Sequence, residues 1–246
     1  MNFEINTHCW NYYKLLTYHL SGFVLHPATK CNVTVSVCYS DCDENTVAVL
    51  DYFQPLFDKL PNVHLVRHLM EPSFLMRRGI GRNERANLTE ADWMWYADCD
   101  MVIHGRALDE LASVVNGNNK QLLRFPKRIN ISTTHRIGDA LIYNASECGV
   151  IDVPNDVGFW TKHRYTRAIG GVQICHGDHL RRVGYLPPHS KWLRPVKKWR
   201  RTYEDKHFRS HFCNHRGHGI RNRSFCNNIF RIRHGQCGRN TEGVEN

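Results

Sequence analysis

The stretch Asp92-Trp-Met-Trp-Tyr-Ala-Asp98-Cys99-Asp100-Met101-Val-Ile-His104 decides how the rest of the chain is read. It begins with apolar and aromatic residues of high strand propensity, lacks the spacing of a surface helix, and carries two carboxylates one residue apart. The pattern predicts a buried strand that delivers acid at its end. In an extended segment residues i and i+2 point the same way, so Asp98 and Asp100 would face one another within roughly 7 Å and repel. A divalent cation removes the repulsion, because Mg²⁺ and Mn²⁺ take oxygen ligands and are commonly held by one or two carboxylates together with substrate phosphates. The competing reading is a solvated turn at the strand's end.

Upstream of this strand, apolar and β-branched runs predict strands over residues 2–6, 32–39 and 63–68. Helical spacing occupies 10–25, 44–60 and 75–90, with Asp41 or Asp43 placed to cap the second helix. Downstream, 107–116 reads as a helix ending at Gly117, and 121–125 as a strand before Pro126. Residues 134–144 suggest a short helix, 158–163 and 170–176 short strands, and 177–183 a small helix. Strands alternating with helices imply βαβ units with right-handed crossovers, hence an open, mostly parallel α/β sheet with helices on both faces. Ligands in such sheets sit at the carboxyl ends of strands, so Thr7, the turn holding Asp41 and Asp43, and Asp98 with Asp100 are expected to share one crevice.

Neither a Gly-x-Gly-x-x-Gly turn after the first strand nor a Gly-x-x-x-x-Gly-Lys-Ser/Thr loop occurs. Any phosphate therefore needs other partners. Arg77, Arg78, Arg82 and Arg85 lie on the third helix at spacings that place some of them on one face, and guanidinium suits phosphate oxygens. Solvated arginines are the alternative.

With 246 residues, 41% of them hydrophobic, the chain can bury a sizeable core, and no low-complexity run or linker divides it. No membrane-length apolar run and no signal peptide is recognisable, which gives a cytoplasmic expectation and reads the ten cysteines mainly as reduced thiols. The net charge of +10 is uneven. Residues 1–189 hold 19 basic and 19 acidic side chains, whereas 190–239 hold 14 and 2. Such a region is a candidate surface for phosphates, anionic lipid heads or nucleic acid, or else a solvated face.

Taken in order, Arg82-Asn83, the acidic strand, Gly170-Gly171-Val-Gln, Gly177-Asp178 with Arg182-Val-Gly184-Tyr185, and Tyr203-Glu204-Asp205-Lys-His-Phe-Arg209 carry a resemblance. Over about residues 2–235 the chain resembles nucleotide-sugar-dependent glycosyltransferases of the GT-A fold, in the broad family-two-like group. The resemblance implies a single domain over 1–246, with a nucleotide-binding half (1–105) and an acceptor half (106–246) whose irregular basic region begins near 190. It implies that Asp100, helped by Asp98, holds Mn²⁺ or Mg²⁺ on the donor diphosphate, with His234 completing the metal shell. Asp98 would lie near the donor ribose, and Thr7 and the Asp41–Asp43 turn would meet the base. Asp205 would be the base of an inverting transfer and Glu204 would orient the acceptor. The alternative for both acids is a helix start that favours negative charge. Gly170 and Gly171 would let backbone approach a sugar, and Trp192 and Trp199 offer apolar faces to a sugar ring or lipid-linked acceptor, or simply pack.

The expected partners are a UDP-, GDP- or dTDP-sugar donor and a saccharide or lipid-linked acceptor in polysaccharide or glycolipid synthesis. Peripheral contact with the inner face of an anionic membrane is a further expectation from the basic region. Nucleic acid is not an expected partner; a basic nucleic-acid-binding protein or a sugar-phosphate nucleotidyltransferase is the alternative function. Cys213, His215, His218, Cys226, His234 and Cys237 lie close enough in sequence to suggest a structural zinc site, which would compete for His234.

Overall fold

A computed structural model describes residues 1–116, 120–133, 135–198 and 203–235, with the side chains of 135–139 left aside. The first half runs β1 (Asn2–His8), α1 (Tyr13–Leu25), β2 (Asn32–Tyr39), α2 (Glu44–Phe57), β3 (Val63–Leu69), α3 (Pro72–Leu75), α4 (Arg78–Leu88) and β4 (Trp93–Tyr96). It continues with β5 (Met101–Ile103), α5 (Gly105–Val115), β6 (Leu123–Pro126), β7 (Arg128–Ser132), α6 (His135–Asn144), β8 (Trp160–Arg164), β9 (Gln173–His176) and α7 (Gly177–Val183). The last elements are α8 (Glu204–Phe212), β10 (His218–Ile220), α9 (Arg223–Asn227) and β11 (Ile229–Arg231).

Seven strands form one mixed sheet in the order β10-β6-β9-β4-β1-β2-β3, and β1 through β4 within it are parallel to one another. Antiparallel pairing enters through β9, which lies between β4 and β6. Because β1, β2 and β3 step outward in order while β4 returns to the other side of β1, right-handed crossovers put α1 and α2 on one face and α4 on the other. The packing agrees: α1 lies against α2, and α4 against α7. All four residues of β4 are buried. A strand covered on both faces reads as an unbroken apolar run, which is why this stretch dominates the sequence.

The structure departs from expectation in three places. The acidic stretch is not one strand: β4 stops at Tyr96, and the chain turns at Asp98–Asp100, with Met101 N donating to Asp98 O at 3.0 Å. It then enters β5, which belongs to a second, four-stranded sheet ordered β5-β11-β7-β8 that periodicity did not indicate. The long third helix is two pieces, because Arg77 leaves helical geometry at φ −118° and ψ 84°. Among its described residues the basic region after 190 also carries regular elements: β10 joins the first sheet, β11 the second, and α8 packs on α7.

Asp43, not Asp41, caps α2, accepting from Thr46 N at 3.2 Å and from the Thr46 hydroxyl at 2.7 Å. Every cysteine among the described residues is a free thiol. No helix of the described residues is long and apolar enough to cross a membrane.

Candidate active site

The break between β4 and β5 leaves the acidic turn at the junction of the two sheets. Ala97 N donates to Asn6 O at 2.9 Å and Asp100 O accepts from Ile232 N at 2.8 Å, so the turn is tied to β1 on one side and to the chain after β11 on the other. Above it opens a cleft of about 420 Å³. That is within the size range of small-molecule sites. His8 lines it from the end of β1, Trp10 and Tyr12 from just beyond, Arg78 from the start of α4, and Asp98 and Asp100 from the turn. Tyr165, Arg231, Arg233 and His234 form the opposite wall.

Antiparallel pairing sets Met101 opposite Arg231, which brings the Arg231 guanidinium over the turn. Its Nε donates to Asp100 Oδ2 at 2.9 Å, and its Nη2 lies 4.0 Å from Asp98 Oδ2. The charge of Asp100 raises the Arg231 pKa, and Tyr165 hydrogen-bonds the same guanidinium. Arg231 thus neutralises both carboxylates where a metal ion would. His234 Nε2 faces Asp100 Oδ2 at 3.7 Å and its ring meets Tyr12 edge-on.

Asp100 Oδ1 is buried without a hydrogen-bond partner among the described residues. A buried carboxylate oxygen with no donor is costly, and a divalent cation supplies what it lacks. By that observation the residues present fit Mn²⁺ or Mg²⁺. Asp98, Asp100 and His234 do not, however, gather three ligand atoms within 4.8 Å of one another.

Behind Asp98 lies a second charged cluster centred on Arg82, which has no exposed surface. Arg78 Nη1 donates to Asp98 Oδ1 at 2.9 Å and Arg82 Nη2 to the same oxygen at 3.3 Å, as their i,i+4 spacing allows. Arg82 Nη1 donates to the Tyr185 hydroxyl at 2.9 Å and to Asp205 Oδ1 at 3.4 Å, and lies 3.8 Å from Glu204 Oε1. The Asp205 carboxylate also accepts from Gln173 Nε2 at 2.9 Å and from Gly170 N at 2.8 Å. Glu204 is buried, with Arg78 Nε at 3.4 Å. The two acids open α8, but they are turned into the protein instead of merely facing water at a helix start.

The glycine pair connects the two clusters. Gly170 takes φ +54°, where a side chain is strained, and a Cβ on Gly171 would stand 2.8 Å from Asp98 N. Trp95 Nε1 fixes the loop by donating to Gly171 O at 2.8 Å.

Other expected residues fall elsewhere. Thr7 is wholly buried, because strand alternation turns its neighbour His8 to the cleft instead. Asp43 is engaged as a helix cap, and Asp41 is exposed; neither lines the cleft. Arg82, a phosphate candidate from sequence, reaches no open space and is occupied by protein acids. Arg85 pairs with Glu4 at 2.8 Å. Trp192 packs beside α4 with Arg77 over its ring and does not line the cleft; Trp199 lies outside the described residues. Cys213, His215, His218 and Cys226 do not assemble a metal-ligand set, and Cys237 lies outside the described residues.

Sequence reasoning missed His8, Tyr165, Arg231 and Arg233. Burial, reinforced by the charges of Arg82 and Arg78, holds the His8 pKa well below its ordinary value, and neither ring nitrogen has a hydrogen-bond partner among the described residues. The alternation Arg231-Ile-Arg233 leading out of a strand was the available signal, since it sends both guanidinium groups to one side. Arg233 is exposed on the cleft wall and has no ion pair with any described residue.

No family model matches the sequence, and no curated protein matches it. Solved structures do match in fold. Over 94% of this chain, S. aureus TarS 1-349 superimposes with a TM-score of 0.60 at 15% identity, and the match covers 60% of that protein. Its complex with UDP-GlcNAc gives 0.61 at 14% identity over 98% of this chain and 62% of TarS 1-349. The mannosyltransferase PcManGT from Pyrobaculum calidifontis, in complex with GDP-Man and Mn²⁺, gives 0.57 at 12% identity, over 96% of this chain and 58% of that enzyme. The chain therefore has a GT-A-like fold, and it spans about three fifths of the length of the structures it matches.

Proposed function

We propose that this protein is a metal-dependent, inverting glycosyltransferase that moves a sugar from a UDP-, GDP- or dTDP-sugar to a hydroxyl of a saccharide or lipid-linked acceptor. The observation that carries the reading is the unpartnered, buried Asp100 Oδ1 on the floor of a cleft walled by Arg78, Arg231 and Arg233. An oxygen that wants a cation beside groups that want an anion suits a metal-bound diphosphate.

In this reading Asp100, Asp98 and His234 would hold Mn²⁺ or Mg²⁺. Such an ion, when bound, draws charge from the departing diphosphate. Arg78 and Arg233 bind the diphosphate oxygens. His8 and Trp10, at the end of β1 and just beyond it, take the place first given to Thr7, Asp41 and Asp43 against the nucleoside. Asp205 accepts the proton of the acceptor hydroxyl as its oxygen bonds to the anomeric carbon and the bond from that carbon to the phosphate oxygen breaks. Gly170 N, Gln173 and Arg82 hold the Asp205 carboxylate in place for this, and Oδ2 meets a single donor among the described residues. Glu204 anchors Arg78 and Arg82 instead of touching acceptor. Gly170 keeps a side chain out of the space beside the Asp98 carboxylate where the sugar would lie, and Gly171 lets the loop press against the backbone of Asp98.

The decisive experiment measures binding and turnover of a panel of UDP-, GDP- and dTDP-sugars with and without Mn²⁺. Asp100→Ala should abolish metal-dependent donor binding. Asp205→Asn should keep donor binding and lower kcat by roughly 10²–10⁴-fold. Failure to bind any donor with or without metal would sink the proposal. Peripheral contact with an anionic membrane, from the cytoplasmic side, is supported by the 14-to-2 excess of basic residues over 190–239. Absence of binding to phosphatidylserine vesicles at low salt would remove that part.

A further inference from the structure

At the far end of β5 from the acidic turn, three metal-ligating side chains from three separate segments meet. His26 ends α1, His104 follows β5, and Asp152 comes from the loop before β8. Their ligand atoms all lie within 4.8 Å of one another. The two imidazoles are stacked, with centroids 3.9 Å apart and planes 25° apart, and each turns its Nε2 toward Asp152. His26 Nε2 is 2.8 Å from Asp152 Oδ2, and His104 Nε2 is 3.7 Å from Asp152 Oδ1.

Hydrogen bonding alone leaves this arrangement incomplete. His26 satisfies one carboxylate oxygen, while His104 Nε2 is buried with no hydrogen-bond partner among the described residues. Ligands 2.0–2.2 Å from a tetrahedral zinc stand roughly 3.4 Å apart, and the two contacts above straddle that spacing.

The surroundings hold the three groups in place. Gly105 N donates to His26 O at 2.6 Å, and a Cβ on Gly105 would come within 2.5 Å of that same oxygen, so the chain after His104 is pressed onto the chain at His26. Ile151 N donates to the Ser21 hydroxyl and Val153 N to Asp152 Oδ1, which anchor the carboxylate. Phe230 packs against the His104 ring.

We propose that His26, His104 and Asp152 form a zinc-class divalent metal site, separate from the acidic turn, that clamps the end of β5 to the end of α1. Two imidazoles and one carboxylate suit zinc and exclude Mg²⁺ as the natural occupant, and the fourth position is left to water. The four residues from Asp100 to His104 put the site roughly 13 Å along the chain from the turn. It does not depend on the glycosyltransferase reading.

The test is a titration of the metal-free protein with Zn²⁺ against a competing chelator, paired with thermal melting. It is run on wild type, His26→Gln, Asp152→Asn and, to report on the other site, Asp100→Ala. His26 and Asp152 are each more than a third exposed, so neither change threatens folding. Changes in groups that merely orient metal ligands cost 10–100-fold in affinity, so loss of a ligand should weaken one zinc equivalent by more than about 100-fold. That equivalent should persist in Asp100→Ala, and zinc should raise the melting temperature of wild type and Asp100→Ala but not of His26→Gln or Asp152→Asn. Equal zinc binding by wild type and His26→Gln, or zinc stabilisation that disappears with Asp100→Ala alone, overturns the proposal.

Discussion

On one side of Asp98, Asp100 keeps a buried oxygen with no donor, and the arginine beside it, Arg231, is about one third exposed. On the other side, Asp205 receives donors from four residues, and the arginine among them, Arg82, is wholly buried. Both clusters pair carboxylates with guanidinium groups, so charge type does not distinguish them. What differs is how completely the protein satisfies its own groups. A carboxylate with its donors in place is held still and can take a proton in a fixed direction; one with an open lone pair beside a displaceable arginine has something left for a ligand.

The largest test of this contrast is removal of each arginine. Arg82→Met leaves Asp205 without its cation and leaves Asp98 and Glu204 to Arg78 alone, and breaking such a network by deleting one buried partner costs about 3–5 kcal/mol. Arg231→Met takes the guanidinium from the buried Asp100 carboxylate at the edge of an open cleft, where water can replace it, and its cost should be smaller, about 1–3 kcal/mol. Urea denaturation of both variants measures the difference. Equal losses would mean that the two clusters are one scaffold and that the open side is not reserved for a ligand.

The same contrast explains what could be read from the sequence. The parallel half was legible because β2 alternates β-branched residues and β4 is a continuous apolar run, each a local signal. The place of the acidic pair just after β4 was legible for the same reason, but not its geometry, since the turn at Asp98–Asp100 is set by Ile232 and Asn6, distant in sequence. Asp205 and Gly170 were reached through the ordered resemblance. Arg82 was assigned to phosphate because its burial depends on Tyr185, Gln173 and α8, none of which local spacing reveals. The second sheet was invisible because β5, β11 and β7 are short and pair across long separations. The basic excess after 190 suggested a loose surface, yet it includes Arg231 and Arg233 of the cleft wall.

A middle-sized effect separates the scaffold from the cleft by pH. His19 lies wholly buried under the turn, its Nδ1 donating to Met101 O at 2.6 Å, and burial lowers its pKa to about 4 from 6.5. Above pH 6.5 the ring is neutral both folded and unfolded. As pH falls from 6.5 to 4 the unfolded chain takes up the proton and the folded one does not, so stability is lost across that window by about 2–3 kcal/mol from this group. Urea midpoints at pH 7 and pH 4.5 should show the loss, and His19→Asn, which keeps a donor for Met101 O, should reduce it, leaving the share of His8 and His104, whose pKa values burial also lowers. An unchanged slope in His19→Asn would show that the scaffold under the turn is not where acid acts.

The smallest effect tests the open side directly. Arg233 is exposed on the cleft wall and pairs with no described acid, unlike Arg78, which is shared between Asp98 and Glu204. Its removal therefore strands no carboxylate, and Arg233→Ala should leave the urea midpoint within about 0.5 kcal/mol of wild type. In the proposed reading it does bind the diphosphate, and a hydrogen bond to a charged group contributes about 1.5 kcal/mol, so donor affinity should fall roughly tenfold. Arg233→Lys should recover part of the loss, since a lysine restores the charge without the fork. The loss should also shrink as salt rises, because the contact is exposed. Titrations of a nucleoside diphosphate and of the nucleoside alone tell the phosphate contribution from any other: affinity for the nucleoside should not change. If Arg233→Ala weakened the nucleoside and the diphosphate equally, Arg233 would belong to the shape of the cleft and not to its charge, and Arg231 would be left as the displaceable cation of the open side.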